Sequence, residues 1–208
     1  RSKGMKGNIG GVILFDETIR QKAKDGTLLR NIISDQGALP GIKVDKGLQP
    51  IEDCPNETVT AGLDGLDERL KEYSSMGAKF TKWRAVINIG DGIPTDKCID
   101  ANMQALADYA KCAQDNGMVP IVEPEVLMDG EHNIDQCFEA TERSLKSLFS
   151  HLEKASVNIK GTLLKPNMVT SGKDATDQAN VEEVAQKTLD CLIANVPAEL
   201  PGITFLSG

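Results

Sequence analysis

The 208-residue sequence is poor in aromatic side chains, at 4%, and has one tryptophan and two histidines. His132 and His151 have no Cys or His at ligand spacing, so a zinc centre is not expected. The five cysteines, Cys54, Cys98, Cys112, Cys137 and Cys191, are odd in number and include no CxxC pair. That argues against a disulfide framework and for reduced, part-buried thiols in an intracellular protein. Positive charge is also in deficit: 23 Lys and Arg against 31 Asp and Glu leave a formal net charge of -8. Neither nucleic acid nor an anionic membrane surface is an expected partner, although a locally positive pocket for a phosphorylated substrate stays compatible with an acidic chain. No apolar stretch approaches the about 20 residues that span a bilayer, and residues 1–10 lack the apolar core of a signal peptide. There is no Met at position 1. No GxGxxG turn follows any apolar run, which weighs against an open, doubly wound dinucleotide fold.

What the sequence does contain is a recurring unit. Six short runs rich in branched or aromatic residues and flanked by Gly or Pro read as strands: GVILF (11–15), GIKV (41–44), AKFTKW (78–83), MVPIV (118–122), GTLL (161–164) and GITFL (202–206). Between them lie helical periodicities. The first runs through Leu63, Leu66, Leu70 and Tyr73, and the second, opened by Pro94 and Thr95, through Ile99, Met103, Leu106, Ala110 and Ala113. A third carries Ile134, Phe138, Leu145, Leu148, Phe149 and Leu152, and a fourth Val181, Val184, Ala185, Leu189, Leu192 and Val196. Asn180 and Glu183 form a box-like cap for the fourth. Residues 54–60 and 169–179 read as the longest polar loops. Strand alternating with helix implies a parallel sheet, and a closed (β/α) barrel in one domain over residues 1–208 is preferred to an open sheet. Six strands fall about two short of the eight in such a barrel, so the domain is expected to be truncated at both ends.

The polar strand ends carry the chemistry. Asp45, Arg84, Glu123, Lys165 and Ser207 are separated by 39, 39, 42 and 42 positions, a period that marks a repeated supersecondary unit. Side chains two apart on a strand share a face, which groups Lys43 with Asp45, Lys82 with Arg84 and Glu123 with Glu125. Charges within apolar strands are costly unless paired, and the C-terminal rim of a parallel barrel is where active sites assemble. Lys165, after an apolar run and near a second cation such as Lys82, suits a nucleophilic amine, whose reference pKa of about 10.4 must fall for it to attack a ketone. Glu123 and Glu125 suit proton transfer, and Lys43, Lys82 and Arg84 suit phosphate. The same residues also fit a purely structural ion network. Lys46 reads as a solvated rim lysine, Asp16 as a helix-capping residue and Trp83 as packing between strands and helices.

These motifs resemble those of class I fructose-bisphosphate aldolases: GVILFDET (11–18), GIKVDKG (41–47), GLDGL (62–66), KWR (82–84), VPIVEPE (119–125), LLKPNMV (163–169) and GITFLSG (202–208). The resemblance implies a TIM-type (β/α)8 barrel with about six strands in this chain and a cytoplasmic homotetramer. A plastid location stays open, because a transit peptide would precede Arg1. It implies metal-free, reversible cleavage of fructose 1,6-bisphosphate to dihydroxyacetone phosphate and glyceraldehyde 3-phosphate, in glycolysis and gluconeogenesis. Carried over, Lys165 is the Schiff-base lysine and Glu123 the acid/base. Glu125 orients that lysine, Lys82 and Arg84 serve carbinolamine chemistry and substrate binding, Lys43 serves a phosphate, and Ser207 and Gly208 belong to a phosphate loop. The family's first-strand aspartate, eighth-strand arginine and C-terminal tyrosine have no counterpart, so these residues alone are expected to fold poorly or to be inactive. The alternative is a non-enzymatic scaffold for cytoskeletal or adhesion-protein tails. Transaldolase and deoxyribose-phosphate aldolase share the imine chemistry but not the EPE and KWR motifs.

Overall fold

In the computed structural model, which describes residues 4–205, five parallel strands form one sheet in the order β1-β2-β5-β6-β7. They are β1 (Gly11–Leu14), β2 (Leu39–Lys43), β5 (Phe80–Ile87), β6 (Val119–Val126) and β7 (Leu163–Leu164); a separate antiparallel pair, β3 (Leu48–Ile51) and β4 (Cys54–Thr60), lies between β2 and β5 in the chain. A parallel bridge from Leu164 to Ile203 adds the start of a sixth position in the sheet. All six expected runs therefore lie in the sheet, although the last contributes a single bridge and its end at Leu206 lies outside the described residues. Among the described residues the strands form an arc, with no pairing that joins its edges.

The helices α1 (Asp16–Arg20), α2 (Leu29–Asp35), α3 (Leu66–Ser75), α4 (Asp96–Asp115), α5 (Ile134–Lys154) and α6 (Val181–Asn195) cross between strands. Thr95 caps α4 by accepting from the Cys98 N–H at 3.1 Å. Asn133 and Gln136 form a complete capping box on α5, which the sequence reading did not single out. On α6 the Asn180 side chain accepts from the Glu183 N–H at 2.9 Å. α5 turns Leu145, Leu148 and Leu152 into the core, and burial of each contributes about 1.5–3 kcal/mol. β5 sends Trp83, Ala85 and Ile87 the same way. Trp83 is fully buried and stacks on Tyr109 of α4 with ring centroids 5.4 Å apart. The Tyr109 hydroxyl is 2.7 Å from Thr81 Oγ1, and burial pushes its pKa well up.

One reading needs correction. Residues 54–60 are strand β4 rather than loop. Their polarity hid this, because the polar side chains are satisfied from elsewhere. The buried Glu57 carboxylate accepts from Thr95 N (2.7 Å) and Thr95 Oγ1 (2.6 Å), and Thr60 Oγ1 donates to the Arg84 carbonyl at 2.7 Å. Thr60 N–H and the Thr58 carbonyl both bond to Asn102 of α4. The hairpin thus latches across the end of β5. Between β1 and β2 lie two short helices, α1 and α2, whose few turns leave too little periodicity to read from the sequence.

Candidate active site

Register explains how distant residues meet. Paired residues on neighbouring strands point to the same face of a sheet. Lys43 pairs with Lys82, Lys82 with Ile121 and Ile121 with Leu163, so these four form one row across β2, β5, β6 and β7. The next row, two residues further toward the C-terminal ends, holds Arg84 paired with Glu123, flanked by Asp45 and Lys165. The intervals of about 40 residues seen in the sequence are the steps along this row.

On this face the charges pair closely. Lys165 Nζ is 2.5 Å from Glu123 Oε1, and Lys82 Nζ is 2.8 Å from Glu123 Oε2. One carboxylate therefore lies between two ammonium groups, and its side chain is 3% exposed. Glu125 meets Arg84 through the guanidinium Nε, and this hydrogen bond pushes the Arg84 pKa up, opposed by burial. Lys43 pairs with Asp45 and lies over the Phe15 ring, 5.8 Å from its centroid. The Arg84 N–H also donates to Asp45 Oδ2 at 3.4 Å. The structure thus brings Lys43, Lys82, Arg84, Glu123, Glu125 and Lys165 to one face. It places Glu125 on the arginine and Glu123 on both lysines. Ser207 and Gly208 lie outside the described residues. These pairs join four basic side chains (Lys43, Lys82, Arg84, Lys165) to three carboxylates (Asp45, Glu123, Glu125).

Asp16 and Lys46 line a cavity shared with Lys43 and Asp45. Asp16 begins α1 and bonds to Arg20 and to the Tyr73 hydroxyl; the Arg20 bond holds its carboxyl below the usual range. Lys46 is exposed. Among the described residues no group of three or more His, Cys, Asp or Glu side chains is arranged to hold a metal, and no helix is long and apolar enough to cross a membrane.

The loops after β6 and β7 clasp each other. Gly172, Lys173 and Asp174 donate backbone N–H bonds to the carbonyls of His132 (2.8 Å), Met128 (2.7 Å) and Gly130 (3.0 Å), and Lys173 pairs with Asp129. The polar stretch 169–179 is irregular, as its composition implied, yet closely bonded. A Cβ at Gly172 would lie 2.2 Å from the Gly130 carbonyl oxygen. Gly172→Ala is accordingly expected to cost about 1–3 kcal/mol as backbone is forced apart, measured as a lower urea midpoint at unchanged m-value.

His132 in this clasp is buried, and burial pushes its imidazole pKa below 6.5, opposed by the Thr170 backbone. The folded ring therefore refuses a proton that the unfolded chain accepts. Stability rises with pH across the interval between the lowered folded value and about 6.5, and falls as pH drops through it. Urea titrations at several pH values are expected to show this slope, and His132→Gln to lose it.

The family model described as fructose-bisphosphate aldolase class-I, glycolytic, matches residues 1–208. A protein of Xanthomonas campestris named "Probable fructose-bisphosphate aldolase class 1" is 58% identical over 200 residues, covering 96% of this chain and 60% of that protein. "Fructose-bisphosphate aldolase 4, cytosolic" of Arabidopsis thaliana is 48% identical over 200 residues, covering 96% of this chain and 51% of that one. The aldolase of Plasmodium falciparum, solved in complex with TRAP and a small-molecule inhibitor, superposes with a TM-score of 0.96 at 45% identity, over 99% of this chain and 60% of that one.

Proposed function

Because the chain belongs to the class I fructose-bisphosphate aldolase family, with its TIM-type barrel fold, we propose that the intact protein cleaves fructose 1,6-bisphosphate through an imine on Lys165. The chain spans 51–60% of the length of the relatives described above, so the activity is assigned to the intact protein rather than to this segment. The observation that carries the reading is the Lys165–Glu123–Lys82 contact in the barrel mouth.

In this mechanism Lys165 gives a proton to Glu123 and its free amine attacks the C2 ketone. The carbinolamine oxygen takes protons and leaves as water, with Glu123 as the acid and Lys82 stabilising the developing charge. The protonated imine then draws the electron pair of the C3–C4 bond as a base removes the C4 hydroxyl proton. Glyceraldehyde 3-phosphate departs, the enamine is protonated at C3, and water releases dihydroxyacetone phosphate. The imine is the electron sink that a metal supplies in other aldolases, so no cofactor enters the scheme. Lys43 and Arg84 are assigned to the anionic oxygens of the substrate, and Ser207 and Gly208 to the phosphate loop. Glu125 acts on this side of the site by holding Arg84.

A cytoplasmic location is supported by the cytosolic Arabidopsis relative, and a homotetramer is the assembly we assign. Binding of a partner protein, as the Plasmodium relative binds TRAP, is a second role compatible with catalysis. Borohydride reduction in the presence of dihydroxyacetone phosphate tests the main reading on the intact protein. A stable adduct on the peptide carrying Lys165 is expected, and its absence would exclude the imine.

A further inference from the structure

We propose that Asn167 is a positioning residue for Lys165, its side chain standing in for backbone pairing that β7 cannot provide. This rests on the imine reading of Lys165 above. The lysine follows a strand of only two residues. Pairing between β6 and β7 runs from Ile121–Leu163 to Val122–Leu164, and the Lys165 N–H makes the last ladder bond, to the Val122 carbonyl at 2.8 Å. Beyond it the ladder has no ordinary continuation. In a parallel pair alternate residues of a strand face the same neighbour, so the next β6 residues facing β7 are Pro124 and Val126. Pro124 lacks an N–H.

The Val126 N–H is taken by a side chain instead, donating to Asn167 Oδ1 at 3.1 Å. Asn167 is itself buried, and its amide nitrogen donates to Thr141 Oγ1 of α5 at 3.0 Å and to the Met168 carbonyl at 3.1 Å. Two residues after the lysine, one amide thus ties its strand to the residue after Glu125 and to the helix behind. Without it, the segment carrying Lys165 is held to β6 only up to Val122, one residue short of Glu123. Proton transfer between Lys165 and Glu123 needs their contact held to a fraction of an ångström, so loosening this tie slows chemistry more than binding.

The test uses the intact protein and three variants. Asn167→Ala is expected to lower kcat by about 10–100-fold with KM changed by less than about threefold, since misplacement of this order costs up to about two decades in rate. Asn167→Asp keeps an oxygen toward the Val126 N–H and is expected to recover most of that loss. Thr141→Val removes the anchor on α5 and is expected to give a smaller loss of kcat at constant KM, which decides the matter if Asn167→Ala fails to fold. Loss of thermal stability with unchanged kcat in the variants would reduce Asn167 to a structural role and overturn the proposal, as would failure of Asn167→Asp to recover activity. Absence of a borohydride adduct in the unsubstituted protein would instead remove the imine reading, and this inference with it.

Discussion

Lys165→Met forms no borohydride-trappable adduct with dihydroxyacetone phosphate, and its turnover falls to background. Loss of a covalent nucleophile commonly costs about 10⁵–10⁶-fold, because no other group supplies the same intermediate. The methionine side chain keeps the length and apolar stem of lysine, and Glu123 retains its contact with Lys82. The fold is therefore expected to survive, with an unchanged circular dichroism spectrum. This separates catalysis from a purely structural ion network, under which the variant would be destabilised yet still form the adduct elsewhere. A variant that traps substrate as the parent does would place the imine on another lysine, of which Lys82 is the nearest in the site.

Glu123→Gln has a different signature. Glutamine keeps the shape of the side chain but neither accepts the Lys165 proton nor delivers one to a leaving oxygen. Turnover is expected to drop by about 10²–10⁴-fold, the usual contribution of a positioned acid or base. Formation of the adduct with dihydroxyacetone phosphate is slowed as well, because it needs the same proton transfers as release. Stability changes too. Glu123 is 3% exposed and lies between two ammonium groups, and removing one partner of a buried ion pair costs about 3–5 kcal/mol. Rapid mixing well below the unfolding midpoint, with single-turnover and steady-state rates compared, reads the catalytic effect apart from that loss. Single-turnover cleavage at the parental rate would reassign the acid/base.

Much of this site was legible in the sequence because it violates the pattern around it. Parallel strands buried on both faces read as near-continuous apolar runs, so Lys82, Arg84, Glu123, Glu125 and Lys165 stand out within or at the end of theirs. Their common spacing then placed them on one rim. Which cation each acid meets was not legible, since this depends on register and side-chain reach. Glu123 and Glu125 share a face, yet one bridges Lys82 and Lys165 while the other meets Arg84. The β3–β4 hairpin was missed for the opposite reason. CPNETVT lacks an apolar pattern, and Glu57 and Thr60 are buried only because Thr95, Asn102 and the Arg84 carbonyl meet the hairpin. Asn167 lay within the quoted LLKPNMV motif, but its role depends on β7 being two residues long, which no periodicity reveals.

The Trp83–Tyr109 stack has a practical consequence. Trp83 is the one tryptophan in this sequence, it is fully buried, and its chain neighbours are Lys82 and Arg84. The indole emission of this segment therefore arises from a single dry location on the reverse side of the catalytic rows. A red shift marks water reaching the seam between β5 and α4, so an unlabelled optical signal reports on the wall that holds the two cations before any assay of turnover is run.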